Sequence, residues 1–114
     1  MLAIPSNQFG NQEPGTKYEI FDFVTKSFKS QFPLLEKVEA NGNNTHPLYA
    51  YLRTNSELYD PKTRKARVIP WNFAKFFINS QGKVIKYFPP EEPIESVVEY
   101  IDEQMMTEQL ASEL

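Results

Sequence analysis

Few side chains in this sequence have the chemistry of a nucleophile or of a metal ligand. None of the 114 residues is cysteine, which excludes disulfides, thiolate metal sites and cysteine nucleophiles for the residues present. The single histidine, His46, stands directly before Pro47, and a metal site would need further ligands of its kind. We therefore expect His46 to cap or pack at a helix start, and we expect no metal.

The other candidate side chains are neutral hydrogen-bond donors. Gln8 carries an amide, and Trp71 and Asn72 place an indole N–H beside a second amide. By themselves these residues are typical of a turn and of core packing next to a turn. A basic cluster between Lys62 and Arg67 could attract an anion, but charges on a loop are more often simply solvated. We assign no role to that cluster.

Composition limits the class of protein. The chain is 40% hydrophobic and 14% aromatic, which suits one small domain with a core of limited size. Its 12 basic and 15 acidic residues give a net charge of −3, too mild to predict binding to nucleic acid or to an acidic membrane. No apolar run approaches the roughly 20 residues that span a bilayer, and Met1–Ile4 is too short for a signal peptide. We expect a cytoplasmic protein, with the mitochondrion or another compartment as alternatives.

The first clear element is a helix predicted from about Lys17 to Lys29. Thr16 and Glu19 have the spacing of a capping box, in which each residue satisfies a free amide at the helix start. Apolar residues recur at helical spacing after it. The helix is expected to close before Pro33, because the residue before a proline is forced out of the helical region.

The middle of the chain indicates an extended segment over 34–38 and a turn over 41–44. Pro47 then fits the first position of a second helix. The residues of this helix expected to face inward are Leu48, Tyr51 and Leu52.

The C-terminal half begins with a polar, aperiodic segment over 54–70, which predicts a long loop. Two aromatic-rich runs, 73–79 and 83–88, flank an Asn-Ser-Gln-Gly turn and predict an antiparallel hairpin. A final helix is predicted from Pro93. Its predicted apolar stripe comprises Ile94, Val97, Val98, Ile101 and Met105.

The order of these elements is strand, helix, extended piece, helix, hairpin and helix, which supports a mixed α/β fold. We expect a single domain over residues 1–106. The remaining residues, 107–114, are predicted to form a fraying tail.

Two segments resemble one known family. Residues 4–15, Ile-Pro-Ser-Asn-Gln-Phe-Gly-Asn-Gln-Glu-Pro-Gly, resemble the F-P-C-N-Q-F-G-x-Q-E-P-G signature of glutathione peroxidases. Residues 71–76, Trp-Asn-Phe-Ala-Lys-Phe, resemble the W-N-F-x-K-F block of the same family. Shorter similarities extend the resemblance to about Ile101, so it covers nearly the whole chain.

The resemblance implies an α/β, thioredoxin-like fold of the glutathione peroxidase type, built in three layers, with the N-terminal strands and first helix missing from this chain. In that family a cysteine or selenocysteine attacks the peroxide and is regenerated by glutathione or thioredoxin, without a prosthetic cofactor. The positions that match the family's other catalytic residues are Gln8, Trp71 and Asn72. Their neutral donors would favour the thiolate and stabilise the charge that develops as the O–O bond breaks. The implied function is antioxidant reduction of hydroperoxides, with a glutathione-type thiol as co-substrate.

The chain also departs from the family pattern. The family's nucleophile lies on a loop that would precede Met1, so we expect this chain alone to be inactive. Ser6 stands where many members have a cysteine. Thr25 stands where thioredoxin-dependent members have the resolving cysteine, which favours glutathione or another small thiol as reductant.

The apolar start, Met1–Ile4, predicts a strand without a preceding element to pair with it. The sheet would then be split and would expose unpaired backbone groups. Three explanations remain open: part of a complete peroxidase, a non-catalytic structural subunit whose sheet a partner protein completes, or a product that never folds. The segment 54–70 also resembles a loop that tetrameric family members carry, which indicates a homo-oligomer.

Overall fold

The structure, a computed structural model, describes residues 1–29 and 32–113. Within these ranges helices and short strands follow one another, and the mixed α/β class predicted from the sequence is confirmed. In chain order the elements are α1 (Lys17–Phe28), α2 (Pro47–Thr54), β1 (Tyr59–Asp60), β2 (Lys65–Ala66), β3 (Lys75–Ile78), β4 (Val84–Phe88) and α3 (Ile94–Ser112).

Helix α1 begins with the predicted capping box. Thr16 Oγ1 accepts the Glu19 amide at 3.2 Å, and the Glu19 carboxylate accepts the Thr16 amide at 3.4 Å. The helix ends one residue earlier than predicted, because Lys29 adopts a left-handed conformation with φ of 51° and its amide donates to the Val24 carbonyl. A left-handed residue after the last turn is a common way to end a helix.

The start of the chain finds a partner in a later segment. The Ala3 amide donates to the Pro33 carbonyl at 2.9 Å, and the Ala3 carbonyl accepts the Leu35 amide at 2.9 Å. This parallel pairing amounts to one isolated bridge. The predicted extended segment over 34–38 is therefore present, but it does not form a full strand.

Helix α2 starts as predicted, with His46 as its N-cap. His46 Nδ1 accepts the Leu48 amide at 3.1 Å, which confirms a capping role. Leu48 is half-buried and Leu52 is buried, as predicted. The prediction for Tyr51 is wrong, since it is 44% exposed and its hydroxyl donates to a carbonyl in the turn between β3 and β4.

The prediction of a structureless loop over 54–70 is wrong, because β1 and β2 pair there as a small antiparallel hairpin. Asp60 Oδ1 accepts the Lys62 amide at 2.9 Å and so stabilises its turn. The Arg67 amide donates to the Leu58 carbonyl at 2.7 Å and closes the open end. Strands of two residues are too short to produce a period-2 pattern, so they cannot be predicted from one.

The second hairpin, β3 and β4, is confirmed. Its strands are antiparallel, with Lys75 opposite Phe88 and a register shift between Phe77 and Ile78. Asn79 Oδ1 fixes the turn by accepting the amides of Gln81 at 2.9 Å and Lys83 at 3.0 Å. An asparagine side chain that bonds the backbone two residues on is a recurrent turn device.

Helix α3 packs on this hairpin through Tyr100, whose ring lies edge-on to Phe77 at 6.1 Å and to Phe88 at 5.5 Å. Val97 is buried. The helix runs to Ser112, so it includes most of the stretch predicted to fray, and fraying itself stays a prediction; Leu114 lies outside the described residues. Good helix formers fill this stretch and no proline or glycine breaks it. Three residues of the predicted apolar stripe are at least half exposed: Ile94, Val98 and Met105.

One cluster of buried side chains joins loop segments, and half-buried residues of α2, β3 and β4 pack against it. Its members come from the first loop, from the turn after the extended segment and from both flanks of the small hairpin. They are Phe9, Ala40, Leu58 and Ile69. The core therefore lies next to both segments that the sequence singled out for chemistry.

The capping box gives the first testable prediction. Replacing Thr16 by alanine removes the acceptor for the Glu19 amide and should lower the free energy of unfolding by about 1 kcal/mol. Thr25→Ala is a matched control, because Thr25 is an exposed interior residue of the same helix. Thermal or urea unfolding followed by circular dichroism measures both. Equal losses in the two variants would show that the capping box contributes nothing.

Candidate functional site

Gln8 binds a backbone turn through its side-chain amide. Its Oε1 accepts the amides of Ala40 at 2.7 Å and Asn41 at 2.9 Å, and its Nε2 donates to the Asn41 carbonyl at 2.8 Å. Because two backbone donors meet the oxygen, the orientation of the amide is fixed by the network. An amide nitrogen carries two hydrogens, and within the described residues only one of them has an acceptor.

Asn72 holds the first loop from the opposite side. Its Nδ2 donates to the Phe9 carbonyl at 3.3 Å and to Gln12 Oε1 at 2.9 Å. Both amide hydrogens are thus used within the protein. Asn72 acts here as a tether, and Gln12 is a partner that the sequence analysis did not single out.

Trp71 lies against the same loop. Its ring centroid is 6.2 Å from that of Phe9 at an interplanar angle of 59°, and the side chain is 49% exposed. Its indole N–H makes no hydrogen bond to the described residues. Trp71 therefore offers an unused neutral donor at the surface of the loop that carries Gln8.

Gly10 allows the tryptophan to approach this closely. Its φ is +73°, and a Cβ built at Gly10 would lie 3.0 Å from Trp71 Cη2. A side chain at this position would meet both a strained backbone and the indole ring. The contact explains why a glycine suits this point of the loop.

The structure thus brings Trp71 and Asn72 onto the loop of residues 9–12, while the Gln8 amide faces the turn at residues 40–41. All three predicted site residues lie around one loop, but only two of them contact it directly. Sequence analysis also missed Asn41 and Arg53, whose role depends on contacts between distant segments. Asn41 looked like an ordinary turn residue, and no sequence signal distinguished it.

An open cleft of about 390 Å³ lies beside Gln8. Lys37 borders it, but its ammonium group is bound to the carbonyls of Glu13, Pro14 and Gly15. The residues that line the cleft are Asn7, Gln8, Asn11, Lys37, Val38 and Glu39. The cation is therefore engaged by the loop before α1 and does not project freely into the cleft.

The other residues considered in the sequence analysis have structural positions. Ser6 is buried, and its Oγ accepts a hydrogen bond from the backbone amide of Gln8 at 3.4 Å. Thr25 is exposed on α1. Arg67, from the basic cluster, donates to the backbone carbonyls of Leu58 and Glu57, so it holds the small hairpin together. Within residues 1–29 and 32–113 no group of three or more metal-binding side chains occurs.

Two tyrosines near the core have shifted pKa values. Burial raises the pKa of Tyr49 above its usual value of 10.0. Burial, followed by the negative charge of Glu91, also raises the pKa of Tyr87. Both groups are therefore neutral near pH 7, and neither is a candidate base.

Comparison with known proteins gives a consistent result. A family model described as glutathione peroxidase matches residues 1–53. A probable mitochondrial glutathione peroxidase 3 of Arabidopsis thaliana is 44% identical over 97 residues, which cover 83% of this chain and 44% of that protein. Glutathione peroxidase 1 of Helianthus annuus is 43% identical over 95 residues, covering 82% of this chain and 54% of that protein. The chain thus spans about half the length of these relatives, or less.

A solved structure shows the fold. The crystal structure of Trgpx in its apo form matches 90% of this chain and 76% of its own, with a TM-score of 0.58 and 24% sequence identity. Together with the relatives, this likeness confirms the thioredoxin-like fold of glutathione peroxidase type that the sequence motifs implied.

The contact between Gly10 and Trp71 gives the second prediction. Gly10→Ala should lower the free energy of unfolding by about 1–3 kcal/mol more than Gly42→Ala, because the added methyl group presses on the indole ring. Gly42 is the matched control, since its φ is +92° and an added Cβ would meet nothing within 4 Å. Urea unfolding measures the difference. Because Trp71 is the only tryptophan, its fluorescence should also change only in the Gly10 variant. Identical behaviour of the two variants would contradict the contact.

Proposed function

The chain belongs to the glutathione peroxidase family, and from this premise we propose that its protein reduces hydroperoxides with electrons from glutathione or another small thiol. The observation that carries the proposal is the convergence of Trp71 and Asn72 on the loop after Gln8. These are the three positions that match the family's catalytic donors. No prosthetic cofactor is needed for this chemistry.

In the proposed reaction a thiolate or selenolate attacks the outer peroxide oxygen. The O–O bond breaks, the released alkoxide takes a proton and leaves as an alcohol, and the nucleophile becomes a sulfenic or selenenic acid. One thiol then forms a mixed disulfide or selenenyl sulfide and releases water, and a second thiol restores the nucleophile as a disulfide departs. Every step depends on a nucleophile that this cysteine-free chain does not contain.

The described residues would contribute neutral donors to that nucleophile. Over residues 1–29 and 32–113 the Trp71 indole N–H has no acceptor. One Gln8 amide hydrogen also has none there, and the backbone at Ala40 and Asn41 fixes its direction. Preorganised donors of this kind stabilise developing negative charge without a reorganisation cost. We assign Asn72 to the same site, where its present bonds to Phe9 and Gln12 hold the loop in place.

The proposed reductant is glutathione or a thiol of similar size. Thr25 occupies the position of the resolving cysteine in thioredoxin-dependent family members, and a hydroxyl cannot form the disulfide that thioredoxin would reduce. Thr25 is also exposed on α1.

A second candidate function is that of a non-catalytic subunit whose sheet a partner chain completes. Within the described residues β3 pairs only with β4. On the outer edge of β4 the Tyr87 amide already has an acceptor, Glu57 Oε2 at 3.1 Å. The unpaired edge of β3 is therefore the one that we propose for an added strand. Phe73, just before β3, is 81% exposed.

The chain is also less compact than a typical domain of its length. Its radius of gyration is 15.7 Å, against about 13 Å for a compact domain of this length. The occupant of the β3 edge could be a different protein or a second copy of this chain in a homo-oligomer. Stoichiometric recovery in a larger assembly from the native source would favour this function over catalysis.

The cellular location of the protein is the last point of the proposal. No helix within the described ranges is long and apolar enough to cross a membrane. The names of related proteins include chloroplastic and mitochondrial forms, and we propose a cytoplasmic location for this protein.

The absence of cysteine gives the third prediction. The purified 114-residue chain should reduce no hydroperoxide with glutathione above a buffer control, because no residue can form a sulfenic acid. A coupled NADPH assay of glutathione oxidation measures this. Saturable turnover that disappears in Trp71→Phe would contradict the assignment of the nucleophile to a segment outside this chain.

The proposed donors give the fourth prediction. The test uses a fusion protein, in which the residues that precede the matched region in the Helianthus annuus relative are joined to Met1 of this chain. This fusion should gain peroxidase activity. Trp71→Phe in this fusion should lower kcat/KM by about 100-fold, as removal of one preorganised donor does in other enzymes. Tyr18→Phe is the control, because Tyr18 is exposed on α1. A folded but inactive fusion would contradict the peroxidase function, and equal activity of the two variants would exclude Trp71 from the site.

A further inference from the structure

Asn41 is hydrogen-bonded both to Gln8 and to the backbone just before Trp71. Its backbone amide and carbonyl bond the side chain of Gln8 at 2.9 and 2.8 Å. Its own side chain pairs with the backbone of Ile69, donating from Nδ2 to the carbonyl at 2.9 Å and accepting the amide at Oδ1 at 2.8 Å. One residue therefore connects Gln8 to a point two positions before Trp71.

The connection closes into a ring. Ile69 is 3% exposed and belongs to the same buried cluster as Phe9. Phe9 follows Gln8 in the chain and contacts the ring of Trp71. A polar path through Asn41 and an apolar path through Phe9 thus join the same two segments. Two independent paths restrict their relative position more than either one alone.

Helix α2 anchors this ring. Arg53 donates from Nη1 to the Ala40 carbonyl and to Thr45 Oγ1, both at 3.3 Å. Its Nε and Nη2 donate to the carbonyls of Arg67 at 3.1 Å and Ala66 at 3.3 Å. The turn that carries Asn41 is therefore held on the helix, and a displacement at Asn41 would be transmitted toward Ile69 and Gln8.

We propose that Asn41 is a positioning residue that sets the location of the Trp71 indole relative to the Gln8 amide. Any effect of Asn41 on catalysis rests on the proposed peroxidase function. Its effect on the position of Trp71 does not depend on that function. The side chain of asparagine suits this role because it presents one donor and one acceptor together. It bonds both the amide and the carbonyl of Ile69, as a residue of a neighbouring strand would.

The substitution Asn41→Asp removes only the donor. The acceptor for the Ile69 amide remains, but an ionised oxygen then faces the Ile69 carbonyl. A protonated carboxyl group carries one O–H donor and so restores both bonds. Repulsion from the Ile69 carbonyl raises the pKa of the introduced carboxyl from its usual value of about 3.9. The hydrogen bond from the Ile69 amide and the nearby Arg53 cation lower it.

The readout is the indole N–H resonance in a two-dimensional ¹H–¹⁵N spectrum of the full chain. The sequence has one tryptophan, so this resonance reports Trp71 alone. At pH 7 Asn41→Asp should displace it from the wild-type position, and lowering the pH through the introduced carboxyl's pKa should return it. The matched control is Asn43→Asp, the same chemical change on an exposed residue of the same turn. The control and the wild type should show no such reversible displacement.

A second variant, Asn41→Ser, keeps the test decisive if the aspartate variant does not fold. Serine is too short to reach both backbone groups of Ile69, so the indole resonance should again move, without a return at acid pH. The proposal is overturned if a folded Asn41 variant leaves the resonance where Asn43→Asp leaves it. If the resonance moves but the fusion protein described above is inactive, the positioning role stands and the peroxidase function fails.

Discussion

The backbone of Ala40 and Asn41 is the point to which the separate segments of this chain are tied. Ala40 is 1% exposed, and a buried backbone group without a partner costs about 1–3 kcal/mol. Neither two-stranded sheet includes these residues, so Gln8 and Arg53 supply their partners from the first loop and from α2. Asn41 then extends the network to Ile69. Side chains thus do here what a β-ladder does elsewhere, and both candidate site segments depend on them.

Packing away from this point is much sparser. Ile20 is the buried residue of α1 and Val97 that of α3, while aromatic side chains of α1 such as Phe21 and Phe28 are more than half exposed. Large exposed apolar surfaces on a small domain are typical of interfaces. Both proposed functions share this feature, since a catalytic protein and a structural subunit would each cover these faces with further polypeptide. They differ in whether that polypeptide brings a nucleophile.

The state of the donors is consistent with a site that is organised before a ligand arrives. The Gln8 amide is oriented by three hydrogen bonds to one turn, and Asn72 uses both amide hydrogens to hold the first loop. The Trp71 indole N–H makes no hydrogen bond to the described residues, while its ring rests on Gly10 and Phe9. Such a division separates residues that hold the loop from a residue that is free to contact a reacting group. Family membership gives this arrangement its chemical interpretation. The geometry adds which residues hold the loop and which residue rests on it.

The sequence by itself determined the local features: the Thr16–Glu19 capping box, the His46 cap, the β3–β4 hairpin and the family motifs around Gln8 and Trp71. Each depends on residues close together in the chain, where propensity and spacing suffice. Only the tertiary structure revealed the hairpin within 54–70, the exposure of Tyr51 and most of the α3 stripe, and the links made by Asn41 and Arg53. These depend on which distant backbone groups need partners once the chain is folded. Each such link is made by a single side chain, so it leaves no repeating pattern in the sequence from which it could be predicted.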